Sequence, residues 1–212
     1  SGPQLLQVGI ADAVPKLAAS RLLRPAVDQN PELRLICREG DPDRLMAELA
    51  VHRLDMVLVD RPVDPALPIK ATDHLLASWR IAFFGTHDLV APRVDSFPLS
   101  LEEAPVLLPT AESAMRRCLD RWFEDNGVVP RIVGEFDDSA LLKAFGEAGF
   151  GYFVAPTVIE DEICRMYRMA VIGRAPEVRE SFFAISPERR LKHDAAVAIT
   201  SMAREDLFAA AS

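Results

Sequence analysis

The spacing of apolar residues changes between a period of two and a period near that of a helix along the first sixty residues. Strand patterns lie at residues 6–11, 33–38 and 55–59, and helix patterns lie between them at residues 15–28 and 42–53. Strands that alternate with helices in this way are typical of parallel sheets with right-handed crossovers. The N-terminal region therefore predicts a β-α-β-α-β unit.

The alternation continues along the chain and predicts an α/β fold. Further strands are expected at residues 79–84, 105–110, 131–136, 149–156, 170–173 and 181–186, and further helices at 113–126, 137–146 and 193–208. Pro25 is expected to kink or break the first helix, because proline removes a backbone hydrogen bond. Strands in the middle and again near the end predict a first lobe at residues 5–78 and 158–212, with an inserted second lobe at 79–157.

Four turns that lead from a strand into a helix predict a small-ligand site. Small ligands bind at the carboxyl edge of parallel strands, where the first turn of a helix offers free N–H groups and the positive end of its dipole. Two such edges that face each other across two lobes would form a cleft. The expected binding residues lie in these turns: Ala11, Asp12, Ala13, Val14, Asp60, Thr110, Ser113, Phe136 and Asp137.

Helix capping explains part of this pattern equally well. Either Asp137 or Asp138 is placed to cap the helix that follows residues 131–136, and either Thr110 or Ser113 is placed to cap the helix before it. The same hydroxyl groups, together with the free N–H groups, are suited to holding an anion. Capping and ligand binding are compatible, and both remain open at this point.

Composition and charge narrow the class of protein. The 212 residues carry a net charge of −8, which argues against nucleic-acid binding by this region alone, since phosphates require a basic face. No apolar run is long enough for a membrane span, so we expect no membrane partner. Cys37, Cys118 and Cys164 are far apart and lack a CxxC motif, so we expect neither zinc nor a disulfide framework and favour a reducing cytoplasm. Cys37 lies in a strand pattern and is expected in the core.

Catalytic motifs are absent from the sequence. It contains no GxSxG, HExxH, GxGxxG or P-loop pattern, and its four histidines are isolated. We therefore expect no enzymatic activity, no catalytic residues, no cofactor and no dedicated metal site. The chain opens with Ser1-Gly2-Pro3 and no initiator Met, so residues 1–4 are expected to be a tag or boundary of a longer protein.

The order of these segments resembles the effector-binding domain of LysR-type transcriptional regulators. The matching pieces are Pro31-Glu32-Leu33, Leu49, Leu54-Asp55, Leu58-Val59, and the segment from Ala148-Gly149-Phe150-Gly151 to Pro156. The stretch "VGIADAVPKLAASRLLRPA" is similar to the NhaR subgroup of that family, which activates sodium/proton antiporter genes. The resemblance covers residues 5 to about 208.

This resemblance implies a fold, a function and partners. The fold would be the two-lobe, type 2 periplasmic-binding-protein-like fold, with a Rossmann-like, mostly parallel sheet in each lobe. A small-molecule or ion effector would bind in the interlobe cleft and alter DNA binding by an N-terminal winged helix-turn-helix that this chain lacks. The domains would form a homodimer or homotetramer through the helices at residues 17–28 and 115–126.

Asp12 departs from the family pattern. Most members carry a hydroxyl residue in the first strand-to-helix turn, where it helps to hold a carboxylate effector, whereas this chain has Asp12-Ala13-Val14-Pro15. A carboxylate there would attract a monovalent cation such as sodium, or a ligand rich in hydrogen-bond donors. Asp12, Asp60 and Asp137 are the candidate oxygen donors.

Two other functions fit the same predicted fold. The first is a periplasmic solute-binding protein, against which the free cysteines argue. The second is an enzyme such as a dehydratase or deaminase, for which only Asp12, His87 and the Asp137/Asp138 pair offer acid–base groups.

Overall fold

The computed structural model describes residues 4–187 and 195–200. Its strands are β1 (Leu5–Ala11), β2 (Arg34–Gly40), β3 (Met56–Val59), β4 (Thr72–Thr86), β5 (Pro105–Pro109), β6 (Arg131–Phe136), β7 (Phe153–Pro156) and β8 (Met169–Ser186). Its helices are α1 (Lys16–Gln29), α2 (Pro42–Ala50), α3 (His87–Val90), α4 (Ala114–Asp125), α5 (Ser139–Glu147) and α6 (Glu160–Tyr167). Residues 195–200 are also helical, and the rest of the predicted final helix lies outside the described residues.

The chain divides into two units. Among the described residues, unit 1 contains residues 4–78, 181–187 and 195–200, and unit 2 is Trp79–Glu180. The return to unit 1 comes at residue 181, whereas the sequence predicted it at residue 158. Residues 158–180 cluster with unit 2 because Ile172, Ala175 and Val178 of β8 are buried in the core of that unit. The two predicted strands in this region form the single long strand β8.

Unit 1 contains the predicted β-α-β-α-β arrangement. Strand β1 pairs in parallel with β2 on one side and with β3 on the other, and Val8 lies opposite Cys37 and Met56. Helix α2 packs against this sheet with Leu45 and Leu49 fully buried. Each such side chain contributes about 1.5–3 kcal/mol when it is removed from water, so the sheet and α2 hold each other in place.

Unit 2 is built around a second parallel pair. Strand β5 pairs in parallel with β6, and Val106 of β5 also bridges to Tyr152. One face of this layer packs on an aromatic core in which the rings of Phe83 and Trp122 lie 5.1 Å apart. The Trp122 indole N–H donates a hydrogen bond to the Glu177 carboxylate, which satisfies its only polar atom.

The structure corrects three local predictions. Helix α1 continues through Pro25, so the break that was one of the two expected outcomes there does not occur, and the neighbouring Leu22, Leu23 and Ala26 are buried. Helix α2 ends at Ala50 and not at residue 53, since His52 adopts a left-handed conformation with φ of 60°. Cys37 is exposed and not in the core, because β2 is an edge strand that pairs only with β1 among the described strands.

Gly146 tests the packing of α5. A Cβ at this position would lie 2.5 Å from Cδ1 of the Phe153 ring, which is buried. Gly146→Ala should therefore lower the free energy of unfolding by about 1–3 kcal/mol through overpacking, although alanine is the better helix former. Urea denaturation measures the change, and the loss should shrink in a Phe153→Leu background. A stabilised Gly146→Ala single variant would contradict this packing.

Candidate functional site

The first strand-to-helix turn of unit 1 joins β1 to α1. The Asp12 N–H donates to the Gly40 carbonyl at 3.0 Å, and the Val14 N–H donates to the Ala11 carbonyl at 2.9 Å. Ala11 and Val14 are buried, so they offer only backbone groups to a ligand, whereas Asp12 and Ala13 are half-buried. Pro15 is the N-cap residue of α1, and no side chain in the described part of the chain caps this helix. The first-turn N–H groups of α1 are thus free of side-chain caps.

Asp60 lies at the same edge of unit 1 as Asp12. The parallel register pairs Ile10 of β1 with Leu58 of β3, so the two strands end at adjacent positions. Asp60 is only 8% exposed. The register therefore places two of the predicted carboxylates at neighbouring strand ends.

The end of β2 completes this edge. The Glu39 carboxylate forms an ion pair with Lys16 in the first turn of α1, and its backbone carbonyl accepts from Arg44 Nη2 at 2.8 Å. Asp41 caps α2 by accepting from the N–H groups of Asp43 and Arg44, as predicted. The Lys16–Glu39 pair is about half exposed on both sides, so it adds little stability and mainly positions the start of α1.

The corresponding edge of unit 2 joins β5 and β6 to α4 and α5. The Thr110 N–H donates to the Phe136 carbonyl at 3.0 Å, which ties the ends of the two strands together. Ser113 caps α4, and its Oγ accepts from the Arg116 N–H at 3.4 Å. Asp138 caps α5 and accepts from the N–H groups of Ala140 and Leu141 at 2.7 and 3.0 Å.

The capping alternatives are therefore resolved. Ser113 and Asp138 are the caps, whereas Thr110 and Asp137 are not. Asp137 is exposed at this edge. Thr110 and Asp137 are consequently the polar side chains of the predicted set in unit 2 that capping does not occupy.

Arg116 links the strand ends and α4 at this edge through hydrogen bonds of its guanidinium group. Its guanidinium donates to the Pro109 carbonyl at 2.9 Å and to the carboxylates of Asp120 and Glu135. Burial acts to lower the pKa of Arg116, but the hydrogen bonds that it donates to Glu135 and Asp120, together with the negative charges of these carboxylates, outweigh burial and raise the pKa above its ordinary value. Arg116 therefore stays charged and joins the end of β5 to β6 and α4.

Lys143 is a candidate that sequence reasoning missed. It is 5% exposed, and its Nζ donates to Ser139 Oγ at 2.6 Å in the first turn of α5. This bond places an ammonium group beside the first turn of α5, the helix that follows Phe136. The available signal was the spacing of four residues between Ser139 and Lys143 on a helix that otherwise buries Leu142 and Gly146.

Within each unit, the structure brings the predicted residues together. Ala11, Asp12, Ala13, Val14 and Asp60 share one edge of unit 1, and Thr110, Ser113, Phe136 and Asp137 share one edge of unit 2. That one ligand contacts both sets stays a prediction. In the described part of the chain, no group of three or more His, Cys, Asp or Glu side chains is close enough to hold a metal ion. None of the helices in residues 4–187 and 195–200 combines the length and hydropathy needed to cross a membrane.

Comparison with known proteins identifies relatives. The family model described as the LysR substrate binding domain matches residues 3–207. The transcriptional activator protein NhaR of Escherichia coli is 34% identical over 207 residues, which cover 98% of this chain and 68% of the relative.

Two solved structures show the same fold. The sulfate-bound regulatory domain of an OxyR2 mutant from Vibrio vulnificus has a TM-score of 0.68 at 13% identity and covers 97% of both chains. The BenM effector binding domain with its effector benzoate has a TM-score of 0.67 at 15% identity and covers 100% of this chain and 95% of its own.

The two adjacent aspartates at the start of α5 offer a matched test. Asp138→Ala should lower the free energy of unfolding by about 1 kcal/mol, because two backbone N–H groups lose their acceptor. Asp137→Ala should change it by less than about 0.5 kcal/mol, as is usual for an exposed position. Urea denaturation of both variants measures the difference. Equal losses, or a larger loss for Asp137→Ala, would contradict the assignment of the cap.

Proposed function

The chain belongs to the LysR substrate-binding domain family, and from this premise we propose that it binds a small effector that carries an anionic group. It is the effector-binding domain of a LysR-type regulator and is similar to NhaR. The observation that carries the chemical class of the effector is the buried ammonium group of Lys143 at the edge of unit 2.

The surroundings of Lys143 favour an anionic ligand. Lys143 donates a hydrogen bond to Ser139 in the first turn of α5, and its ammonium group would form charge-assisted hydrogen bonds with an anion at this helix start. The N-terminus of α5 adds the positive end of a helix dipole at the same place. A carboxylate or sulfate group would be stabilised by both. The solved relatives named above with sulfate and with benzoate hold anions, which supports the same class.

Asp12 adds a second requirement. A carboxylate cannot donate a hydrogen bond, so the part of the effector that reaches Asp12 should carry hydroxyl or amino donors. We assign effector binding to the residues of the two edges, namely Ala11, Asp12, Ala13, Val14, Asp60, Thr110, Ser113, Phe136 and Asp137, together with Lys143. Ala11 and Val14 would take part through their backbone, because their side chains are buried.

Effector binding would act on DNA through an N-terminal domain that is not part of this chain. A ligand shifts an equilibrium between two arrangements only by its difference in affinity for them. The named relative is a transcriptional activator, and we extend that role to the protein that contains this domain. It would work in the cytoplasm as an oligomer that uses α1 and α4 as contact helices. Family membership favours this function over a periplasmic solute-binding protein and over an enzyme.

Sodium is the second candidate effector. The observation in its favour is that Asp12 and Asp60 lie at neighbouring strand ends of unit 1. Hard cations prefer carboxylate, carbonyl and water oxygens, which this edge supplies.

Lys143 can be tested with anionic probes. A ligand that binds only the folded state raises its stability, so a panel of small carboxylates and sulfate should contain an anion that raises the melting temperature. In Lys143→Met the shift should fall by at least about half, because the ammonium group is lost. Lys70→Met, which removes an exposed lysine, is the control and should keep the full shift. An undiminished shift in Lys143→Met, or no response to any anion, would refute the anionic class.

Asp12 can be tested in the complete regulator. Asp12→Ala should change the response of a reporter gene to inducer without unfolding the domain, because Asp12 is half-buried at the proposed binding edge. Sodium, the second candidate effector, can be tested by comparing the melting temperature of the domain in sodium, lithium and choline chlorides at equal ionic strength. A melting-temperature rise with sodium but not choline, lost in Asp12→Ala, would favour sodium over an anion. An unchanged reporter response would remove Asp12 from the site.

A further inference from the structure

Helix α5 carries large apolar residues on its outer side as well as on its buried side. Leu142 and Gly146 are buried against the sheet of unit 2, while Leu141, Ala144 and Phe145 face outward and are exposed. These outward residues have the spacing of three and four that defines one side of a helix. The solvent-facing side of a surface helix is normally polar. The outer side of α5 therefore lacks the polar residues expected at a solvated surface.

Two further phenylalanines extend this surface. The ring of Phe145 lies 5.2 Å from that of Phe136 and 5.4 Å from that of Phe150. The exposed fractions are 52% for Leu141, 38% for Phe145 and 53% for Phe150. We call this surface, formed by Phe136, Leu141, Ala144, Phe145 and Phe150, the α5 apolar face. Contiguous exposed apolar groups of this kind mark interaction sites.

The α5 apolar face is held in shape before any partner binds. The Phe136 ring lies over Gly134, where a Cβ would come within 2.8 Å of it, so the absence of a side chain at Gly134 gives the ring its place. The Phe150 N–H donates to the Phe145 carbonyl at 3.2 Å, which fixes the loop that carries the third ring. A preformed surface loses little conformational entropy on binding.

The charges beside this face are acidic. Asp137 precedes α5 and Glu147 ends it, and both are exposed. Glu135 is on the adjoining strand and already forms an ion pair with Arg116. The lysine of this helix, Lys143, is buried on the inner side and donates to Ser139. The exposed rim thus favours a partner with basic residues.

A second copy of this chain fits poorly against the acidic residues Asp137 and Glu147 beside the α5 apolar face. Two α5 helices related by a two-fold axis run either antiparallel, with Asp137 of one near Glu147 of the other, or parallel, with like residues side by side. Both arrangements bring carboxylates together on an apolar contact. Like charges at a contact oppose association, so the face requires a different occupant.

We propose that the α5 apolar face is a docking surface for a basic amphipathic helix of a partner protein. The helix would place large apolar side chains over Phe145 and Phe150 at the spacing of helix-in-groove recognition. Its lysine or arginine residues would lie beside Asp137 and Glu147. This function is distinct from effector binding, although Phe136 and Asp137 also belong to the proposed effector-binding residues.

A pair of synthetic peptides tests this proposal. Both are helix-forming, about 18 residues long, with leucines at positions i, i+4 and i+7, and they differ only in carrying lysine or glutamate at both ends. Fluorescence anisotropy with the whole domain should show binding of the lysine peptide that weakens with salt. The glutamate peptide should bind at least about tenfold more weakly, because it meets the same acidic rim.

Variants of the face provide the matched controls. Phe145→Gln and Leu141→Gln should each raise the Kd of the lysine peptide about tenfold, and glutamine is a good helix former, so α5 should persist. Leu99→Gln removes a leucine that is more exposed than Leu141 and lies elsewhere in unit 2, and it should leave the Kd unchanged. Circular dichroism melts establish that each variant is folded, and Phe136 is left intact.

Several results would overturn the proposal. These are binding of both peptides with equal affinity, binding of neither, or a Kd that does not respond to Phe145→Gln and Leu141→Gln. Sedimentation analysis of the domain tests whether a second copy of the chain covers the α5 apolar face. If the domain is a dimer that Phe145→Gln dissociates, a second copy covers the face and the basic partner is ruled out.

Discussion

The backbone N–H groups at the start of each helix are the constraint on which the candidate site depends. A helix cannot satisfy its own first N–H groups, so another acceptor must supply the hydrogen bonds. Asp41, Ser113 and Asp138 do so for α2, α4 and α5. Helix α1 differs, because Pro15 occupies its cap position and no side chain among the described residues takes over the role. Of these four helices, α1 is thus the one whose start carries no side-chain cap.

The charges at the two edges have opposite character. Unit 1 presents Asp12 and Asp60 at adjacent strand ends, and unit 2 presents the ammonium group of Lys143 beside Ser139. The edge of unit 1 is thus suited to hydrogen-bond donors, whereas the edge of unit 2 is suited to an acidic group. This conclusion differs from the sequence-based expectation of a sodium ion or donor-rich ligand, because that expectation considered Asp12 without Lys143. Arg116 does not alter this balance, since two carboxylates already accept its hydrogen bonds.

Local sequence patterns predicted a helix, a strand or a helix cap correctly where the residues of that segment alone decide its structure. The presence of strands β1 and β2, the cap at Asp41, and the helix from Ser113 to Asn126 follow from local sequence patterns, and the structure confirms them. Tertiary packing decided the remainder. Helix α1 continues through Pro25 among buried neighbours, and the burial of Ile172 and Val178 assigns the early part of β8 to unit 2. Lys143 escaped notice because a lysine on a helix is usually solvated, and only the folded chain shows which side of α5 is buried.

The ammonium group of Lys143 at the start of α5 is the group through which we propose that the domain recognises an anion. Nuclear magnetic resonance of the domain labelled with ¹⁵N reports this directly, with the small carboxylates and sulfate as probes. Binding should shift the backbone amide signals of Ser139, Ala140 and Lys143, together with those of Asp12 and Ala13. Shifts confined to other parts of the chain, with the signals of Ser139 to Lys143 unmoved by every anion, would contradict the account.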